Sequence, residues 1–319
     1  MREAAGLVGG DADSRWTETI DQTKRTHQAL RAKRLDLANT EDEIKQRNKR
    51  LAKHHDAEGV KEGIVDFDDS VWTTFFSRGE IVSRAIGRVV LPQRPSKALG
   101  TGVLIAPQLL LTNNHVVPFE AHQSEAAVEF NYEYDENGKP REYQTFRFAP
   151  EVCWFTDVEL DFSLVGLKKV DGKRPGDIYG WVPLIEQTGK VIRGEPLNVI
   201  HHPCGGLKRM SIRENRMVAE DELWLRYTSD TQGGSSGAPV FNDQWEMVAL
   251  HHEGIPKLVD GREVNLQGQP WTEEMGPGAK AYDRNEGIRV SRIVQRLKEA
   301  EVAESMRVLI SQALTGEQV

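Results

Sequence analysis

The chain has 319 residues, with 41 Lys or Arg against 49 Asp or Glu and a formal net charge of −8. Hydrophobic residues make up 38% and charged residues 28%, a soluble globular composition with length enough for a large core and more than one domain. The acidic balance gives no electrostatic case for nucleic-acid binding, and no apolar run approaches the ~20 residues that span a membrane.

Residues 14–58 are polar and rich in helix formers. Leu30, Leu37, Ile44 and Leu51 recur every seven residues, but one apolar residue per heptad is a thin coiled-coil seam. A helical hairpin packed on the rest of the chain, or a solvated helix, is the favoured reading; a coiled coil or a partner-binding arm for a regulatory protein is the other. Residues 1–80 are expected to form this helical region, with a linker at His54–Gly59. Val71–Phe76 opens an apolar segment, and Ile81–Val90 leads into a first barrel. Short β-rich runs follow at Gly102–Ile105, Leu109–Leu111, Ala127–Tyr132, Phe146–Phe148 and Ser163–Leu167. A second set runs through Leu197–His201, Met210–Arg213, Leu223–Tyr227, Pro239–Phe241 and Met247–His252. Gly, Pro, Asn and Asp turns divide them, as in antiparallel barrels. Gly276, Pro277 and Gly278 mark a loop. Val290, Ile293, Val294 and Leu297 fall at helical spacing and predict one extended C-terminal helix. Met1–Trp16 has no apolar signal-peptide core, and the two cysteines, Cys153 and Cys204, make no disulfide framework. A cytoplasmic location is the expectation.

The chemistry concentrates in Thr231-Gln232-Gly233-Gly234-Ser235-Ser236-Gly237-Ala238-Pro239. This is a glycine-rich loop with two candidate nucleophiles, and a serine hydroxyl needs a base to take its proton. Read as G-x-S-x-G, the loop would be a nucleophile elbow with Ser235 reactive. That arrangement needs a histidine after the serine and a helix behind it. No histidine lies beyond His252, and Pro239-Val240-Phe241 opposes a helix. Upstream, Leu111–Val117 places His115 at the end of an apolar run, and Leu160-Asp161-Phe162-Ser163-Leu164 sets one acid at the head of another. The chain order His, Asp, Ser makes Ser236 the nucleophile. Asp157 and Glu159 are neighbouring acids that could share a strand face with Asp161. The pairs His201-His202 and His251-His252 lack the spacing of a zinc site, since adjacent histidines on a strand face opposite ways. No metal site is expected, and His202–Gly206 is read as a turn near the substrate cleft.

Gly234-Ser235-Ser236-Gly237-Ala238-Pro239 resembles the G-x-S-G-x-P signature of trypsin-like (chymotrypsin-fold) serine proteases. Leu111–Val117 and the preceding strand Gly100–Ile105 are similar to bacterial members, the Deg/HtrA type among them, and Asp161–Leu164 to the aspartate motif. The resemblance covers roughly residues 84–295. It implies a mainly β fold of two antiparallel six-stranded β-barrels with a helical N-terminal extension and a C-terminal helix. Within residues 81–319 the first barrel would span about 84–190, the second about 191–285 and the helix about 286–315. The implied activity is peptide-bond hydrolysis by His115, Asp161 and Ser236, with the N–H groups of Gly234 and Ser236 as the oxyanion hole and no cofactor. Protein or peptide substrates are implied. Zymogen-type trypsins carry an aspartate where Ser235 stands, which argues for gating by another route. Specificity cues conflict: Asp230 lies where trypsins bind Arg or Lys, whereas Thr231 and His251 match offsets of glutamyl endopeptidases. An interaction module with a protease-like fold is the competing function; an intact triad counts against it. A quality-control protease would carry peptide-binding domains after the barrel, where a helix and short tail stand.

Overall fold

A computed structural model describes residues 12–32, 34–54, 71–93, 98–118, 125–212, 214–229 and 231–314. Asp230, one of the specificity candidates, and the linker after His54 lie outside the described residues.

Two antiparallel seven-stranded sheets carry the fold. The first is built from β1 (Ile86–Val90), β2 (Ala98–Ala106), β3 (Leu109–Thr112), β4 (Ala127–Phe130), β5 (Gln144–Arg147), β6 (Trp154–Asp157) and β7 (Phe162–Gly166), in the order β5-β4-β1-β2-β3-β7-β6. The second takes β8 (Asn198–His201), β9 (Arg209–Ser211), β10 (Met217–Glu220), β11 (Trp224–Tyr227), β12 (Pro239–Phe241), β13 (Met247–Pro256) and β16 (Tyr282–Arg289), in the order β10-β11-β16-β13-β12-β8-β9. β14 (Leu258–Val259) and β15 (Arg262–Glu263) make a small hairpin within the β13–β16 connection. Each sheet curls on itself. A bridge between Phe148 and Leu167, just past β5 and β7, links six strands of the first; Pro196 and Arg216, just before β8 and β10, do the same in the second. The expected six strands are therefore the curled part of each half-closed barrel. β6 and β9 are the additional strands.

The apolar runs read from the sequence fill the interiors. Ile86, Leu104, Leu110, Phe130, Phe146 and Leu164 are fully buried in the first barrel; Val199, Met217, Tyr227 and Val240 are in the second. Two parts differ from expectation. β16 was not foreseen, because its sequence YDRNEGIR is polar; Arg284, Asn285 and Glu286 are nonetheless buried, and their charges are paired (Arg226 Nε to Glu286 Oε2, 2.8 Å). β16 also carries the second barrel to Arg289, past the expected limit of 285. The extended C-terminal helix is two: α6 (Val290–Glu299) and α7 (Glu304–Leu314). Arg307 of α7 folds back and donates to the carbonyl oxygen of Ala300 at 2.6 Å, satisfying a helix-end acceptor. The predicted stripe Val290, Ile293, Val294 and Leu297 is the buried face of α6, each side chain contributing about 1.5–3 kcal/mol.

The N-terminal region is α1 (Ala12–Arg31), α2 (Leu35–Ala38) and α3 (Glu41–Leu51), followed by α4 (Thr74–Arg84). Breaks between the first three interrupt the seven-residue repeat, and Leu37 is exposed. These helices pack on the second barrel, as three elements and not as a hairpin or a solvated helix. Thr40 and Glu43 form a capping box that starts α3. Thr26 Oγ1 donates to the Val218 carbonyl (3.0 Å), Arg47 Nε to Glu195 (2.8 Å), and Arg50 to both oxygens of Glu246 (2.9 and 2.6 Å). His54 Nε2 lies 2.9 Å from the same carboxylate. α4 spans the expected limit of the helical region at 80; it holds Phe75 against Trp245, ring centroids 4.8 Å apart. A short helix α5 (Pro175–Tyr179) follows β7.

Burial opposes ionisation of Glu246, but hydrogen bonds from His54, Arg50 and Asn242 outweigh it and hold the carboxyl below the usual carboxylate range. A depressed folded-state value means its stabilisation is full above the unfolded value and is lost as pH falls through and below about 4. Glu246→Gln should mimic that loss at neutral pH. Amide exchange in Glu41–Leu51 should rise about tenfold to hundredfold, the scale of hydrogen bonds to a charged group (about 1.5–3 kcal/mol), while the strands of the first barrel keep their protection. Unchanged exchange in α3 would show that its docking does not depend on this carboxylate.

Candidate active site

Strand pairing builds the first half of the site. β3 and β7 pair with Thr112 opposite Ser163. Three residues past Thr112, a 3-10 turn (Asn114–Val116) carries His115; two residues before Ser163, the β6–β7 turn carries Asp161. Asp161 sits in the left-handed region (φ 47°), which Asp enters more readily than most residues. Asn113 Nδ2 ties the two turns by donating to the Asp161 carbonyl at 2.9 Å. The His115 backbone N–H donates to Asp161 Oδ1 (2.9 Å), and His115 Nδ1 lies 2.6 Å from Oδ2. The carboxylate thus fixes His115 by two contacts, neither of which uses Nε2. The His115 side chain is 46% exposed and Asp161 is buried. Of the rival acids, Asp157 is used elsewhere: it accepts from the Leu160 N–H (2.9 Å) and from Arg296 Nε (2.5 Å).

The second half comes from the other barrel. Ser236 precedes β12, which pairs with β13, Pro239 opposite Leu250. The loop before β12 is stapled to β2. Thr101 N–H donates to the Ser236 carbonyl (2.8 Å) and Thr101 Oγ1 to the Gly234 carbonyl (2.9 Å). Gly233 O accepts from the Cys204 N–H, in the 3-10 turn Pro203–Gly205 that bears out the turn expected at 202–206. Gly234 and Gly237 both have φ in the left-handed region (93° and 83°). A Cβ on Gly237 would meet the Thr101 carbonyl oxygen at 2.2 Å and the Asn113 nitrogen at 3.3 Å, so only glycine lets this loop lie against the strand end that leads to His115. The two adjacent serines differ. Ser235 is fully buried, its Oγ 2.7 Å from His201 Nδ1; Ser236 is half-buried. Ser235 is a fastening of the loop.

The specificity candidates are tied to separate partners. Thr231 Oγ1 donates to Asn285 Oδ1 (2.6 Å), while His251 Nδ1 is 2.7 Å from the Tyr227 hydroxyl. Burial, and then neighbouring histidines, push His251 down to about 3, so it is neutral. Its neighbour points to the opposite face of the strand. His252 Nδ1 reaches across to the first barrel and lies 2.6 Å from Asp161 Oδ2, the oxygen His115 uses. Burial favours the neutral form of His252, but the hydrogen bonds to Asp161 and Glu253 outweigh it and raise it to about 10. For Asp161, burial is outweighed by the bonds from His115 and His252, which hold it at about 2. From the sequence, His251 is a specificity candidate, whereas His252 enters only as half of a histidine pair without zinc-site spacing. The alternation rule put them on opposite faces, but nothing in the chain marks Asp161, 91 residues away, as the partner of one. Donor atoms of His115, Asp161 and His252 do lie within 4.8 Å of one another, close enough to hold a cation. The 2.6 Å separations are those of charge-assisted hydrogen bonds, and we assign no ion there.

Residues 100–250 match the family model described as the trypsin-like peptidase domain. This stretch is a trypsin-like peptidase domain. It contains His115, Asp161 and Ser236, while His251 and His252 fall just outside the matched limits. Three quarters of the chain is also similar to an uncharacterized protein, y4fB, of Sinorhizobium fredii (strain NBRC 101917 / NGR234), 35% identical over 264 residues, or 75% of this chain and 39% of that protein. It is 27% identical to exfoliative toxin A of Staphylococcus aureus (56% of this chain, 64% of the toxin) and 28% to secreted RxLR effector protein 73 of Plasmopara viticola (61% and 52%). The chain therefore spans less than two thirds of each of these relatives. A solved structure of a Glu endopeptidase aligns with 70% of this chain and 90% of its own, at 17% identity and a TM-score of 0.44. Among the described residues, no helix is long and apolar enough to cross a membrane.

Proposed function

We propose that the trypsin-like peptidase domain makes this chain a serine endopeptidase of restricted specificity. The observation that carries the reading is the His115–Asp161 pair, 2.6 Å apart, beside the glycine loop that presents Ser236. His115 Nε2 removes the Ser236 hydroxyl proton as Oγ attacks the substrate carbonyl. The same nitrogen returns the proton to the leaving amine, and water repeats the sequence on the acyl-enzyme. Asp161 holds the tautomer and stabilises the imidazolium. The N–H groups of Gly234 and Ser236 receive the developing oxyanion, a stabilisation worth about 2.7–4 kcal/mol per donor.

For the residue before the scissile bond, Thr231 and His251 favour an acidic side chain. His251 has Nδ1 occupied by Tyr227, which leaves Nε2 for a carboxylate. We further propose that the N-terminal helices gate activity: Ser235 is fastened by His201 and needs no new N-terminus as a partner. The docked arm disfavours the interaction-module reading, since α3 spends Arg47 and Arg50 on the second barrel.

A fluorophosphonate probe tests the main reading. The full chain should be labelled at Ser236, with no labelling of Ser236→Ala; labelling that survives this substitution overturns it. Peptides that differ only before the scissile bond should be cut fastest after Glu or Asp, and faster cutting after Arg or Lys would sink the acidic preference. If a chain lacking residues 1–54 cuts no faster than the full chain, gating by the arm is wrong.

A further inference from the structure

Asp161 accepts two imidazole N–H groups on one oxygen. His115 Nδ1 and His252 Nδ1 each lie 2.6 Å from Oδ2, while Oδ1 takes the His115 backbone N–H at 2.9 Å. A carboxylate oxygen has about two lone-pair directions, so Oδ2 is fully used. The two rings stand edge to face, centroids 5.9 Å apart. His252 is packed against Trp224 of β11 (centroids 5.1 Å), and its Nε2 is 3.4 Å from Glu253 on its own strand. Glu286 of β16 also approaches it, but Arg226 pairs with that carboxylate at 2.8 Å. Among the described residues, the groups facing His252 are thus Asp161, His115, Glu253 and Glu286. Only the first is shared with His115 by direct hydrogen bonds.

We propose that His252 is a positioning residue of the active site: it donates to the same oxygen of Asp161 as His115 does and divides the carboxylate between two imidazoles. This rests on the protease reading above and deepens it. The donor role orients Asp161. The charge role follows from the environment, because His252 is held cationic by Asp161 and Glu253 against the cost of burial. A cation on one side of Asp161 offsets part of the field that would stabilise the imidazolium of His115 on the other. Removing that cation leaves the whole carboxylate to the imidazolium of His115.

The two roles separate by substitution in the full chain. His252→Ala removes donor and charge; His252→Asn keeps an N–H donor near the position of Nδ1 and removes the charge. Plateau kcat should fall roughly tenfold in the alanine variant, a fraction of the 10²–10⁴ that a positioned acid–base group contributes, and the asparagine variant should recover most of that loss. In both, the acidic limb of the kcat profile should move up by roughly one pH unit, with KM unchanged. An acidic limb that stays in place in both variants overturns the proposal, and so does an effect confined to KM. The same quantity is read without turnover from the NMR titration of the ¹⁵N-labelled His115 ring. A titration that moves in the variants of a protein with no peptidase activity would sink the protease reading and keep the coupling. Turnover with an unmoved titration would do the reverse.

Discussion

Ser236→Ala is expected to reduce peptide hydrolysis by a factor on the order of 10⁶, the loss seen when a triad nucleophile is removed. Stability should change by no more than about 0.5 kcal/mol, because the hydroxyl being removed is half-buried and makes no hydrogen bond among the described residues. The neighbouring substitution should behave oppositely. Ser235 Oγ accepts the Gln232 N–H at 3.2 Å and lies 2.7 Å from the buried His201 Nδ1. Ser235→Ala strands those groups and should cost about 1–3 kcal/mol, with the loss of rate arising from a loosened loop. Initial rates on one peptide, with urea denaturation of the three proteins, check both. If the large kinetic loss falls on Ser235 and the large stability loss on Ser236, the roles given to the two serines are reversed.

The largest effect on stability is expected from Arg226. Its side chain is 1% exposed and meets Glu286, itself 3% exposed, at 2.8 Å, and Asp221 at 2.9 Å. Arg226→Leu leaves the Glu286 charge buried with its main partner gone, and such losses run to about 3–5 kcal/mol. The double substitution Arg226→Leu with Glu286→Leu removes both charges and should regain most of that, because a buried pair is often replaced by apolar residues at little net cost. Asp221 reaches solvent and does not need the guanidinium. The test is the urea midpoint at constant slope. If the double variant is as unstable as the sum of the single ones, the destabilisation comes from packing of the long side chain and not from the stranded charge.

The same pair shows what could not be read in the chain. Strands that bury apolar side chains announce themselves: Leu109–Leu111, Phe162–Leu164 and Pro239–Phe241 were legible because hydrophobic burial leaves a compositional trace. β16 buries Arg284, Asn285 and Glu286, and its stability comes from partners on other strands, so its sequence looks like a loop. The division of the C-terminal helix was hidden for a related reason: Ala300–Ala303 contains good helix formers, and the acceptor that marks the break is satisfied by Arg307 from beyond it. In the candidate site, His115, Asp161 and Ser236 can be named from the chain because each sits in a short motif of fixed spacing. His252 was not, since its meaning depends on a contact between barrels. Asn285, the partner of Thr231, was hidden inside the unrecognised strand.

The docking of α3 has a consequence for biosynthesis. Its anchors, Glu195, Gln244 and Glu246, lie 148–197 residues downstream of Arg47 and Arg50. A ribosome adding roughly 5–20 residues per second releases the helix roughly 10–40 seconds before its seat exists. This helix therefore leaves the exit tunnel well before it can find its place. Through that interval its capping box and its polarity must keep it presentable, while the barrel that will receive it is still being made.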